Sequence, residues 1–417
     1  MPKSYTFRDA RLRAPALRLL NAAGAGLGAV GLRLPRLEPE TVIRSAQRQA
    51  EVDLPIGDHT TEALNRFIES AESEANLNTL GRIAVQGMLV NSLACRLRMV
   101  DWGKCHPEVQ REKIREPWIV VGLPRTGTSI LSILMGLDPF SRPLLQWEAK
   151  RAIPPADLAT ANEDPRIALF TQEMARVNKM NPALATMHPF GSTLAEECTA
   201  IFTYALRTIG METVAFVPSY GRWLDHADMT PAYDIHKLTL QALQHAQPTE
   251  RWTLKSPNHL WCLPELLSAY PDARIIWIHR DPAKLVTSLV SLNCAMQLQF
   301  TRRLDAKRVG EYWAEKISIA IDKATSFDQA AASDWCCHVQ YKDLLAQPKA
   351  TLEVVYEHFG DALNTLHKRR IDTWLTQRPQ HAAGVHSYDP GDFGWTEKML
   401  SERYSSYRQR YKVAQES

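Results

Sequence analysis

The chain lacks any cysteine pattern that chemistry could use: its seven cysteines are scattered, odd in number and free of a C-x-x-C pair. A disulfide framework and a zinc ribbon are thereby excluded, and a reducing cytoplasm is the expected home. The vicinal Cys336 and Cys337 lie in an apolar run and read as buried strand residues. No apolar run is long enough to span a bilayer, because residues 22–32 are too few and too rich in glycine. Met1 to Pro15 has no apolar centre, so no signal peptide is expected there. Neither sign of charge dominates: 49 Lys and Arg face 46 Asp and Glu, a net charge of +3, so no global field argues for nucleic acid as a partner. What remains is 417 residues, 45% of them hydrophobic, enough for two or three ordinary domains.

The charge is uneven. Residues 1–36 hold seven basic side chains and one acid, Asp9. A helical arm that packs on its own domain and solvates its arginines is the expected reading, with peripheral membrane contact through residues 1–36 as the alternative. From Pro39 to about Val100 the apolar residues recur at helical spacing, so residues 1–110 are expected to form a helical extension. Trp118 to Val121 is continuously apolar and reads as a strand buried on both faces. Trp252–Lys255, Arg274–His279 and Trp335–Tyr341 share that texture, each followed by a helix-like segment. The expected class is α/β, a P-loop-like open parallel sheet flanked by helices over residues 111–417, with a helical insertion at about 157–247. Its ligand should lie at the carboxyl ends of the strands.

The first strand runs into Gly122-Leu123-Pro124-Arg125-Thr126-Gly127-Thr128-Ser129 and an apolar helix over Thr128–Leu137. This fits G-x-x-x-x-G-x-S, a loop whose backbone N–H groups cradle a phosphate-like anion. A nucleoside triphosphatase needs Lys where Thr128 stands, so the cation here is Arg125, inside the loop. The strand Arg274–His279 ends in Arg280-Asp281-Pro282, where Asp281 is a candidate N-cap and Pro282 the first helical residue. Arg280 is thus expected at a strand end, with Ser288 eight positions later in the helix, and the two together can grip a second phosphate.

This pairing of loop, Arg and Ser resembles the PAPS-dependent sulfotransferase family, above all a bacterial branch whose loop carries Arg. The resemblance includes Leu254-Lys255-Ser256-Pro257, Val339-Gln340-Tyr341-Lys342-Asp343-Leu344 and the stretch His386-Ser387-Tyr388 through Phe393-Gly394. It covers about Trp118 to Tyr411. It implies that Arg125, Thr126, Gly127, Thr128 and Ser129 hold the 5'-phosphosulfate of 3'-phosphoadenosine 5'-phosphosulfate (PAPS), that Arg280 and Ser288 hold its 3'-phosphate, and that Tyr341 lies near the adenine. Two departures stand out: Arg125 replaces the better-known lysine, and Ile130 replaces an aromatic that stacks on adenine. Catalysis would rest on positioning and charge, with Arg125 and Lys255 at the bridging oxygen and no metal.

The acceptor hydroxyl needs a base, and three positions compete. Leu144 to Trp147 reads as the strand after the loop helix and ends at Glu148, the first candidate. His259 lies four residues after Lys255, and Glu196-Glu197 begins an apolar helix. The histidines His188, His226 and His386 read as structural or exposed. Met174, Phe202, Tyr204, Phe216, Tyr220, Trp223 and Tyr233 could supply surface for a hydrophobic small-molecule or lipid acceptor. The rival function is a P-loop kinase or nucleoside triphosphatase, which the absent loop lysine disfavours.

Overall fold

The computed structural model describes residues 4–10, 14–180, 191–332, 334–377 and 385–416. Strands β1 (Trp118–Gly122), β2 (Ser141–Pro143), β3 (Arg251–Lys255), β4 (Arg274–His279) and β5 (Cys336–Gln340) form one sheet in the order β2-β3-β1-β4-β5, every neighbour parallel. The apolar runs follow from this layering, since a strand covered on both faces has no solvent side to alternate with. Trp118, Val120, Ile276, Ile278, Cys337 and Val339 face one way, against Leu131, Leu134 and Tyr356. Their neighbours Ile119, Val121, Ile275, Trp277 and Cys336 face the other, into the larger core. The α/β class is as expected.

That larger core reaches back to the N-terminal helices Pro39–Ala50, Asp58–Ser73 and Thr79–Cys105, which contribute Val42, Phe67 and Leu89 to the same cluster. Residues on both sides of position 110 therefore share one apolar interior. In the insertion, Phe202, Tyr220 and Tyr233 are buried in that interior as well. The backbone of Ser4–Tyr5 pairs with Val385–His386, joining the first described residues to the start of the segment 385–416.

The structure corrects one element. Leu144 to Trp147 is not a strand: pairing stops at Pro143, and a short helix, Gln146–Lys150, begins at once. The physical reason is Glu148, whose carboxylate reaches back 3.3 Å to the N–H of Leu145 and so caps the helix. The apolar run that mimics a strand instead buries Leu144 and Trp147. Among the described residues no helix is long and apolar enough to cross a membrane.

β1 sits between β3 and β4, and chain direction across the sheet reverses there. The carboxyl ends of these three strands therefore border the crevice where an open α/β sheet holds its ligand. Each delivers one cation: Arg125 after β1, Lys255 at the end of β3, Arg280 after β4.

Candidate active site

The loop after β1 turns inward at Thr126, whose side chain is fully buried and donates to the Leu123 carbonyl at 2.7 Å. Arg125 and Gly127 on either side both take positive φ, +71° and +85°. For Arg125 this left-handed backbone is uncommon and marks a residue held in place by its surroundings. For Gly127 it removes any room for a side chain, because a Cβ there would come within 2.7 Å of the Tyr341 ring. Gly127→Ala is expected to destabilise the protein by about 1–3 kcal/mol from backbone strain alone, read by denaturant unfolding, and to push Tyr341 off the loop. The helix Thr128–Met135 starts directly after the turn, so its first N–H groups point at the crevice.

The cations are tied to one another and to the loop. Lys255 is buried; its Nζ donates to Ser129 Oγ at 3.0 Å and is paired with the Glu197 carboxylate. The Arg125 Nε donates to Ser288 Oγ at 3.2 Å, spanning from the loop to the helix Pro282–Gln297. Asp281 caps that helix through the N–H of Ala283, as its position after β4 suggested. Arg280 donates to the Arg125 carbonyl at 2.8 Å, and its guanidinium lies 4.3 Å from the centre of the Tyr341 ring. Its remaining donors grip the carboxylate of Glu416, with Nε and Nη2 each at 2.8 Å. Tyr341 opens a helix, Tyr341–Ala346, directly after β5.

The glutamate pair stands opposite. Residues 195–198 are clamped between two elements: Ala195 bridges to Leu145, the Glu196 N–H donates to Leu144 O at 2.7 Å, and the Cys198 N–H donates to Lys255 O at 2.9 Å. The carboxyl of Glu196 accepts from the Glu197 N–H at 2.7 Å. Burial pushes it up to about 7, with that N–H and the Lys255 charge opposing the shift. A carboxyl poised there holds its proton in acid and accepts one near neutrality.

Most of these groups line a cleft of about 520 Å³, with the Lys255 side chain buried behind its wall. Arg125, Glu196, Glu197, Arg280 and Tyr341 supply polar groups to its lining, and Ile209, Leu289, Leu292, Met296 and Trp313 supply apolar ones. Gly127, Thr128 and Ser129 are in the wall, Thr126 and Ser288 behind it.

Two candidates for the base fall elsewhere. Glu148 is not in the cleft wall: it is buried in an ion pair with Arg142 while capping its own helix, and burial raises its pKa. His259 is fully buried, its Nδ1 bonded to the Tyr233 hydroxyl at 2.7 Å, and burial holds it well below the usual histidine range. Both were read at the right end of the sheet but on the wrong side of a wall. Phe202, Tyr204, Tyr220 and Tyr233 are core rather than acceptor surface. His226 is exposed outside the cleft, while His188 and the side chain of His386 lie outside what is described. The apolar wall itself went unread, although Leu289, Leu292 and Met296 carry the helical spacing that could have pointed to it. Nothing in the sequence signals Glu416.

Residues 117–364 match the model of the Sulfotransferase family, and the chain belongs to that family. Membership brings with it a sulfonate donor and leaves the kinase reading without support. Two curated relatives, both named omega-hydroxy-beta-dihydromenaquinone-9 sulfotransferase Stf3, from Mycobacterium tuberculosis and Mycobacterium bovis, are 26% identical over 260 residues. That alignment covers 58% of this chain and 62% of theirs, so the match spans less than two thirds of the relatives' length. Two solved structures superpose over more. Sulfotransferase STF1 from Mycobacterium tuberculosis H37Rv is 29% identical with a TM-score of 0.79, covering 88% of this chain and 98% of its own. Sulfotransferase STF9 from Mycobacterium avium is 26% identical with a TM-score of 0.84, covering 92% and 99%.

Proposed function

We propose that the protein moves a sulfuryl group from PAPS to a hydroxyl on an apolar small molecule or lipid. The observation that carries this reading is the mixed lining of one cleft: cations and a poised carboxyl together with aliphatic and aromatic side chains. The N–H groups of Thr126 to Ser129 would cradle the 5'-phosphosulfate, and Arg280 with Ser288 would take the 3'-phosphate. Tyr341 would flank the adenine. In the transfer, the bond from sulfur to the bridging phosphate oxygen breaks as the acceptor oxygen bonds to sulfur. Arg125 and Lys255 would stabilise the charge left on the bridging oxygen, and Glu196 would take the acceptor's proton. Glu197 would hold Lys255 against the loop. The nucleotide product is then 3'-phosphoadenosine 5'-phosphate. The Stf3 relatives are named for an omega-hydroxy menaquinone, which agrees with a hydroxyl carried on an apolar body.

Thermal unfolding with nucleotides tests the donor. A ligand that binds only the folded state raises the melting temperature, by about 2.7 kcal/mol of stability at a hundredfold excess over its Kd. 3'-Phosphoadenosine 5'-phosphate is expected to stabilise the protein far more than ADP, without Mg2+, and Arg280→Ala is expected to erase most of the difference. Equal stabilisation by the two nucleotides in the wild type overturns the donor assignment.

A further inference from the structure

We infer that the helix Pro15–Ala29 and the turn that follows it form a docking surface for an anionic lipid bilayer. This helix sits on the body the wrong way round for a packing element. Its inward face is Leu17, Asn21, Gly24 and Gly28, at helical spacing and only half-buried. Asn21 accepts a hydrogen bond from the N–H of Leu80 at 2.9 Å. A Cβ on Gly24 would overlap the Thr79 hydroxyl, and one on Gly28 would come within 3.1 Å of the Arg302 guanidinium. Contact with the body is thus made mostly by small and polar positions, with Leu17 the one large apolar side chain among them, and no residue of the helix is buried.

The large apolar side chains point to water. Leu19 is 71% exposed and Val30 74%, and Leu20, Leu27, Leu32 and Leu34 join them in the same short stretch. Ile83, on the helix that receives this one, is exposed too. A soluble protein scatters exposed apolar residues singly; gathering them on one element marks a surface meant to be covered.

Charge names the cover. Residues 10–37 contain five arginines and no acid, in a chain whose charges otherwise nearly balance. Arg18, Arg33 and Arg36 are exposed in the same stretch, Arg36 within 3.8 Å of the Glu38 carboxylate. Leucines and a valine that enter the acyl boundary, with guanidinium groups in the same stretch at phosphate level, are the composition of a helix that lies on an anionic membrane without crossing it. A second copy of this chain would bring the same arginines face to face, which disfavours self-association through this surface. The inference needs neither donor nor acceptor and stands apart from the sulfuryl-transfer reading.

The test is sedimentation of the full chain with vesicles of phosphatidylcholine alone or mixed with an equal part of phosphatidylglycerol, without nucleotide. The wild type is expected to pellet with the mixed vesicles and much less with phosphatidylcholine, and added salt is expected to release part of it. The double variant Leu19→Glu with Val30→Glu is expected to lower the partition by about tenfold or more, since each change puts a charge where an apolar group would enter the bilayer. Val354→Glu, at an exposed apolar site elsewhere, is expected to bind like wild type, and all three proteins to melt alike. Wild type that stays in solution with the mixed vesicles overturns the inference, as does a double variant that pellets unchanged. If vesicles capture nothing and the double variant turns a dimer into a monomer by light scattering, the face belongs to a second copy and the inference also fails.

Discussion

Arg125→Ala is expected to lower kcat by about 100- to 1,000-fold, the effect of removing one preorganised group that stabilises charge in the transition state. The fold should tolerate the change. Arg125 is half-buried and packs through charge, donating to Ser288 and lending its carbonyl to Arg280, so its truncation opens no cavity in the core. Its backbone conformation is already one that a side chain does not favour, and alanine meets it no better and little worse. Steady-state kinetics beside a melting curve separates the two effects. Arg125→Lys should recover part of the rate, because the charge survives while the planar fork does not. Turnover of the alanine variant within about threefold of wild type would remove Arg125 from the chemistry, given the size of loss such groups produce.

The second large effect is expected at Glu196. If it accepts the acceptor's proton, Glu196→Gln lowers kcat by about 100- to 10,000-fold with donor binding retained. Its pKa gives the sign of the pH dependence. Burial raises the carboxyl to about 7, so below that pH it holds its proton and cannot accept another. Activity therefore rises with pH through about 7 in the wild type, and this acidic limb is absent from the glutamine variant. Stability runs the other way. A carboxyl whose pKa is raised by folding stabilises the protein below its unfolded pKa, and that contribution is lost as pH rises through the folded value. The glutamine variant should thus be slower yet, above neutrality, more resistant to unfolding than the wild type. A Glu196→Gln protein that keeps both its rate and its acidic limb would assign proton removal to another group, and Glu197→Gln is the comparison that tells whether the pair acts as one.

The sheet was legible where strands are long and buried. Ile275 to Ile278 is an unbroken apolar run flanked by Arg274 and His279 and stopped by Arg280-Asp281-Pro282, and the strand is found as Arg274–His279. β2 was not legible. It has three residues, one of them a proline, and the stronger apolar run beside it leads into a helix instead. The site divided along the same line. Loop, strand end and helix start are local signals, so Arg125, Lys255 and Arg280 could be read from their neighbours. Burial is not a local signal. Glu148 and His259 have sequence surroundings as suggestive as those of Glu196, and only the folded chain tells which carboxyl meets the cleft and which meets Arg142. The inward glycines of the first helix carry the same lesson, since its composition does not tell which face meets the body.

The ion pair between Arg280 and Glu416 changes what binding at this site would mean. A 3'-phosphate that reaches Arg280 finds the fork already closed on a carboxylate, so it enters by exchange and not by filling open space. Exchange is nearly neutral in charge at the protein: one anion arrives as another is turned out into water. Affinity would then respond less to ionic strength than the number of cations in the cleft suggests, because fewer small ions are released than at an open cationic surface. On the proposed donor site, the same carboxylate would stand ready as a spent nucleotide loosened and would shorten its stay. Arg280 would hold its ligand firmly enough to orient it and release it without waiting for solvent to replace every contact.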